Sequence, residues 1–230
     1  MIHKISRLHR AGLLGLAVKG EIGRWVSCIG ESLGSQDLVF NTYIYAAFHR
    51  SGLERAPATV SFILQLYPGL RNVVDLGCGT GVFVKEFLKH NVHAEGYEYS
   101  AKARKIARDS FAIEVKAFDL KTFSAPEGEF DACICFETAH YLPEVVGDKL
   151  VKVCAESAPL VVFSSAHPKQ GGYGHINERS RSYWVERFSR HGLRLEEEKT
   201  ARLEEHLRRH LVRGRWFADN ICLFVQESHQ

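Results

Sequence analysis

Apolar positions follow two rhythms along this chain, a helical spacing and short unbroken runs. Phe40, Ile44, Ala47 and Phe48, then Val60, Ile63, Leu64 and Tyr67, recur at helical intervals, so the segment from Asp37 to Tyr67 reads as helix, with Pro57 near a helix start. Val73 to Leu76 is a short apolar run of the kind that forms a strand buried on both faces. Beyond it, helical patterns over 82–90, 100–110 and 143–156 alternate with strand patterns over 92–97, 113–117, 130–136 and 159–165. Pro126-Glu127-Gly128 marks the turn into the strand that begins at Phe130. A helix from about Arg179 to His191 stops before Gly192, and Leu193 to Thr200 and Ile221 to Gln226 read as a final strand pair. Such alternation predicts an α/β fold with a parallel sheet and helices on both faces.

The chemistry begins where the first strand ends. Asp75-Leu76-Gly77-Cys78-Gly79-Thr80-Gly81 places three glycines at alternate positions just before a helix. Glycines there let the backbone turn sharply and approach a ligand where a Cβ would clash. A dinucleotide fingerprint needs a third glycine where this chain has Val82, so the loop is a poor pyrophosphate cradle. About twenty residues on, at the end of a second strand, stands Glu98 in Glu95-Gly96-Tyr97-Glu98-Tyr99-Ser100, where an acid that grips ribose hydroxyls is expected. Asp119 follows a third short strand, just before Leu120.

In these features residues 55 to 226 resemble the class I, Rossmann-like methyltransferases that use S-adenosylmethionine. The resemblance implies a doubly wound seven-stranded sheet closed by an antiparallel last strand, with helices roofing the cofactor. It implies S-adenosylmethionine held by Asp75, Gly77, Cys78, Gly79 and Gly81 at the methionine end. Glu98 and Tyr99 would serve the ribose, Asp119 and Leu120 the adenine, and Phe136 and Glu137 would lie beside the cofactor after the fourth strand. A 1–54 helical extension would precede a 55–230 catalytic domain. The run Gly174-His175-Ile176-Asn177-Glu178, with Tyr183-Trp184 and Arg215-Trp216-Phe217-Ala218-Asp219-Asn220, is similar to a group of small bacterial methyltransferase-domain proteins. Those aromatics read as core packing, or as the wall of a sugar or aromatic acceptor.

Ligands of parallel sheets bind at the carboxyl ends of the strands, and the loops after strands four and five both carry histidine. Methyl transfer from a sulfonium needs an aligned acceptor and removal of its proton, and an imidazole suits an alcohol. His140 is the first candidate base, with a structural role at the helix from Pro143 as its alternative. His167 and His175 follow, in a loop whose Gly171, Gly172 and Gly174 could hinge a lid, with loop ordering as the alternative. Glu137, His140, His167 and His175 are also potential metal ligands, but the adjacent Glu-His pair of the metal-using small-RNA methyltransferases is absent, since Ala139 precedes His140. Phe136-Glu137-Thr138-Ala139 also lacks the Asn/Asp-Pro-Pro-aromatic motif of base and protein amine methylation. The acceptor expected is an oxygen of a small molecule or glycan. N- or C-methylation, including RNA or protein acceptors, and a non-catalytic cofactor-binding subunit are the alternatives. A nicotinamide oxidoreductase would share the fold, but Val82 and the absence of a Tyr-x-x-x-Lys arrangement speak against it.

Composition adds limits. With 230 residues, 25% of them charged, and a net charge of +3, the chain fits one globular domain with an extension. Basic clusters at Arg179 and Arg181 and at Arg208 and Arg209 fit solvated helix faces better than a nucleic-acid footprint. The six cysteines, three of them in the glycine loop and the fourth strand (Cys78, Cys133 and Cys135), read as reduced thiols of a cytoplasmic protein. Lys4, Arg7 and Arg10 precede the apolar stretch 11–18, which is too short to span a bilayer and lacks a cleavage site. It fits a helix packed on the core, or one lying on a membrane surface or a partner subunit.

Overall fold

The computed structural model describes residues 42–227; the basic and apolar stretch read at the amino terminus lies outside them. Helix α1 (Thr42–Leu66) opens the described chain. Then come β1 (Asn72–Leu76), α2 (Val82–Lys89), β2 (His93–Glu98), α3 (Ala101–Phe111), β3 (Val115–Ala117), β4 (Ala132–Phe136), α4 (Glu144–Ser157) and β5 (Leu160–Ser164). Helix α5 (Arg181–Ser189), β6 (Leu193–Leu195), α6 (Glu197–His210), α7 (Trp216–Asn220) and β7 (Ile221–Gln226) complete it. The strands form one seven-stranded sheet in the order β3-β2-β1-β4-β5-β7-β6, in which only β7 runs antiparallel to its neighbours. The strand order reverses between β1 and β4, the switch point outside which ligands of such sheets bind.

Side-chain alternation sorts the core into two layers. Val74, Leu76, Cys133, Cys135, Val161, Phe163, Cys222 and Phe224 face one way, against α4 and α5 through Leu150, Val151, Cys154, Trp184 and Phe188. Val73, Ile134, Phe136, Val162, Ile221 and Leu223 face the other way, against α1, α2, α6 and α7. Strands buried on both faces are why β1, β4, β5 and β7 read as unbroken apolar runs. The Asp131 carboxylate starts β4 by accepting the backbone N–H groups of Arg71 (2.7 Å) and Asn72 (2.8 Å), so β4 begins at Ala132 rather than Phe130.

Three expectations change. Pro57 lies inside α1, not near its start, and the boundary placed between residues 54 and 55 falls within that helix. The strand read over Leu193 to Thr200 ends at Leu195, because a full helix, α6, begins at Glu197. Glu197 and Glu198 sit in its first turn and Arg208, Arg209 and His210 in its last, which suits the helix dipole. Its face of Thr200, Leu203 and Leu207 is buried. Among the described residues no helix is long and apolar enough to cross a membrane. The five described cysteines are free thiols, four of them buried.

Because Leu203 is fully buried under α1 and the sheet, Leu203→Ala should cost about 2 to 5 kcal/mol. Urea unfolding followed by circular dichroism checks this; an unchanged midpoint would mean α6 is not part of the core.

Candidate functional site

The loop after β1 is built by three left-handed glycines, each with a different reason. A Cβ on Gly77 (φ 78°) would lie 2.4 Å from the Thr138 hydroxyl, so the loops after β1 and β4 touch only because that atom is missing. A Cβ on Gly81 (φ 71°) would strike Ile113 at 2.7 Å. Gly79 (φ 55°) faces open space, and its N–H donates to Glu98 Oε2 at 2.9 Å. The second Glu98 oxygen accepts the Ser100 N–H at 2.8 Å. Both carboxylate oxygens are thus fixed from behind by backbone. Burial raises the Glu98 pKa, and the backbone amides of Ser100, Gly79 and Tyr99, with Arg104, oppose that. Beneath the loop, Cys78 packs over Gly96 of β2, where an added Cβ would sit 2.8 Å from its sulfur. Burial and the neighbouring Glu98 carboxylate hold buried Asp75 well above the ordinary range. Helix α1 roofs this loop through His49 Nδ1, 3.0 Å from the Thr80 hydroxyl.

The remaining expected cofactor residues divide. Asp119 stands past β3, with one carboxylate oxygen accepting the Lys121 N–H at 2.9 Å. Tyr99 is exposed, while Leu120 and Phe136 are buried core side chains, Phe136 lying 4.7 Å from the Phe83 ring. Glu137 turns away from β1. Its backbone is left-handed at φ 54°, a costly conformation outside glycine, and its N–H donates to the Ser164 carbonyl at 2.9 Å. Its carboxylate accepts from Asn220 Nδ2 at 3.2 and 3.4 Å, at the start of β7. Burial raises its pKa, opposed by Ser164, Arg55, Asn220 and the nearby His167.

Hydrogen bonding gives the three histidines different capacities. His140 Nδ1 accepts the Ala166 N–H at 3.1 Å, so the neutral ring carries its proton on Nε2, which is buried without a partner. The His140 carbonyl accepts the N–H groups of Ile176 (2.9 Å) and Asn177 (3.1 Å). His140 therefore ties together the loops after β4 and β5 and has no free lone pair, which corrects its place as first candidate base. His175 donates from Nδ1 to Glu178 at 2.9 Å, and its ring fills the space a Cβ on Gly172 would need, 2.3 Å from Nε2. Glu178 also accepts the N–H groups of Lys169 (2.9 Å) and Gly171 (2.7 Å). The loop expected to be a lid is fastened at both ends, and Gly172 is a packing glycine, not a hinge. His167 differs: Nε2–H donates to the Asp219 carbonyl at 2.7 Å, which leaves Nδ1 as the acceptor. Arg181 donates to the same carbonyl at 3.0 Å.

Among the described residues no group of three His, Cys, Asp or Glu side chains converges as a metal site. Glu137 and His140 stand 4.0 Å apart, while His167 and His175 turn to Asp219 and Glu178. Of the aromatics, Trp184 and Phe217 are core, and Tyr183 packs under Arg187 (3.3 Å). Trp216 stays 39% exposed beside the site. Sequence reasoning missed Arg55, whose guanidinium lies over Trp216 (5.0 Å) and Phe217 (4.8 Å).

The sheet order and the rim of loops at its carboxyl end give an α/β domain with the fold of the class I, Rossmann-like methyltransferases. A family model described as a methyltransferase domain matches residues 73–158. A ubiquinone biosynthesis O-methyltransferase of Thiobacillus denitrificans is 29% identical over 122 residues, 49% of this chain and 47% of that protein. The chain spans about half the length of the curated relatives it matches, 46% for another such enzyme from Ralstonia nicotianae. Among solved structures, an amino pentose methyltransferase of Micromonospora echinaspora superposes with TM-score 0.60 at 17% identity, covering 82% of this chain and 98% of the other. The shared feature at that identity is the fold.

Burial holds the His140 pKa well below its ordinary value, helped by His175. A histidine that titrates more readily unfolded than folded lowers stability as pH falls below 6.5, by up to about 1.4 kcal/mol per unit. His140→Asn keeps an acceptor for the Ala166 N–H and cannot titrate. Its denaturation midpoint should fall less steeply than the parent's between pH 6.5 and 5; parallel curves would show that His140 is not buried neutral.

Proposed function

We propose that this chain is an S-adenosylmethionine-dependent methyltransferase acting on an oxygen of a small molecule or glycan, with His167 as general base. The observation that carries the reading is the Glu98 carboxylate, pinned by Gly79 and Ser100 at the open glycine of the loop after β1. A pinned carboxylate keeps its outward lone pairs for a diol, and Gly79 leaves room for the group to approach. When bound, S-adenosylmethionine supplies a methyl group on a cationic sulfur, so its departure needs no acid. Asp75 and the three glycines would hold the methionine end, Glu98 the ribose hydroxyls, and Asp119 the adenine amine through its second carboxylate oxygen.

On the acceptor side the chain must align a hydroxyl and take its proton. His167 is suited to this, because the Asp219 carbonyl fixes its proton on Nε2 and directs a lone pair on Nδ1. His167 would take the proton of the acceptor hydroxyl on Nδ1, and the Asp219 carbonyl would stabilise the resulting imidazolium through Nε2–H. His140 and His175 serve by holding the loop that carries His167. The names of the O-methyltransferase relatives and of the sugar methyltransferase neighbours agree with a small-molecule acceptor.

Calorimetry with S-adenosylhomocysteine should show saturable binding that Glu98→Ala weakens by about 1 to 3 kcal/mol. A folded protein that binds nothing, or binds NADH instead, would sink the cofactor assignment. Once an acceptor is in hand, His167→Ala should lower kcat about 10²- to 10⁴-fold and leave the homocysteine product's affinity unchanged. Equal loss in His140→Asn and none in His167→Ala would move the base elsewhere.

A further inference from the structure

The turn from α6 into α7 holds an aliphatic side chain out in solvent with basic groups around it. Leu211, 3% exposed, anchors one end of the turn and fully buried Phe217 the other. The Leu211 N–H donates to the Leu207 carbonyl at 2.8 Å, and the Phe217 N–H donates to the Gly214 carbonyl at 2.9 Å. Gly214 reverses the chain between them with a left-handed backbone at φ 69°. Fastened in this way, the turn leaves Val212 91% exposed, more than any other large apolar side chain among the described residues. Trp216, four residues on, is 39% exposed, with the Arg55 guanidinium 5.0 Å from its ring. The stretch 208–216 also carries Arg208, Arg209, Arg213 and Arg215 and no acid. Arg208 is paired with Asp219 at 2.6 Å and Arg209 with Glu205. Among the described residues no carboxylate pairs Arg213 or Arg215, and the Arg215 Nε reaches only the Leu211 carbonyl, at 3.5 Å.

We propose that this turn docks the domain on an anionic lipid surface. Val212 enters the boundary between headgroups and acyl chains, Trp216 lies at the headgroup level, and Arg213 and Arg215 pair with lipid phosphates. Each residue type suits its depth: an aliphatic tip loses its contact with water, an indole prefers the interface, and a guanidinium matches a phosphate with two parallel donors. Charge complementarity selects an anionic surface, since two guanidiniums without carboxylate partners flank the tip and each basic group near such a surface adds to the attraction. The aliphatic tip selects lipid over nucleic acid. Binding to a phosphate backbone is driven by charge, and a valine standing proud between arginines adds nothing to it. One tip, one indole and a pair of free arginines make a reversible peripheral contact that weakens with salt. This inference stands apart from the reaction the domain catalyses and needs no part of the proposed active site.

Co-sedimentation of the full chain with vesicles tests this, using phosphatidylcholine alone and phosphatidylcholine mixed with phosphatidylglycerol. We expect the chain to partition onto the phosphatidylglycerol vesicles tenfold or more above the neutral ones, and to be released as salt is raised. Reversing both free charges, Arg213→Glu with Arg215→Glu, should lower that partition tenfold or more. Val212→Ser, which leaves the charge as it is, should lower it threefold or more. All three side chains are exposed, so the urea midpoints of both variants should match the parent and show that the fold survives. Equal partition onto the two kinds of vesicle, or none onto either, overturns the docking surface. Undiminished partition of the charge-reversed protein overturns it too and places the contact elsewhere, as at the basic amino-terminal stretch. A loss on charge reversal with none in Val212→Ser overturns the lipid assignment and makes the turn a site for soluble polyanions such as nucleic acid.

Discussion

The contact between Gly77 and Thr138 is the constraint from which the site follows. Where the connectivity of a parallel sheet reverses, the loops run to opposite faces and leave a crevice, and here that point lies between β1 and β4. The Thr138 hydroxyl lies against the backbone of Gly77, 3.4 Å from its carbonyl and 3.1 Å from that of Phe136. With a Cβ at Gly77 the two loops would be forced apart. Because they touch, Glu137 is driven into a left-handed backbone whose N–H is caught by Ser164, and its carboxylate crosses to β5 and β7. One missing side chain thereby divides the carboxyl rim of the sheet: Glu98 and the open Gly79 on the β1 and β2 side, Glu137, Asn220 and His167 on the other.

Donor and acceptor accounting separates residues that sequence cannot. Three histidines in two neighbouring loops look equivalent in a string of letters, and any could take a proton. The folded chain gives His140 a backbone donor on its only lone pair, gives His175 a carboxylate on one side and a glycine on the other, and gives His167 a carbonyl that takes its proton. The differences come from backbone atoms of Ala166 and Asp219, whose placement depends on where β5 ends and β7 begins. The same bonds turn the expected mobile lid into a fastened strap, since Glu178 gathers the Lys169 and Gly171 amides while His140 holds Ile176 and Asn177.

Much of the sheet was legible because strands buried on both faces must be apolar at every position. Val73 to Leu76 and Ile221 to Gln226 declare themselves in that way, and the glycine loop marks the end of one of them. The start of helix α6 was missed for a reason that is also physical: Leu193 and Leu195 alternate like a strand, and the acidic run that follows hides a helix start. Its signal was present in Thr200, Leu203, Leu207 and Leu211 at helical spacing, with Glu205 four residues before Arg209. Arg55 had no such signal. A guanidinium on a helix is ordinarily solvated, and only the fold of β7 and α7 against α1 buries it over Trp216 and Phe217.

Charge balance then distinguishes the Glu137 side of the rim from the Glu98 side. Burial alone holds Arg55 below its usual range and Glu137 above its own, and each partly restores the other. No ion pair joins them among the described residues; Glu137 is bonded to Asn220, and Arg55 Nη1 is buried without a partner. The Glu98 side is different, since both oxygens of that carboxylate accept backbone amides. The two halves of the rim therefore differ: the Glu98 carboxylate is satisfied by backbone, whereas the other half keeps Arg55 Nη1 and Asn220 Oδ1 buried and unpaired.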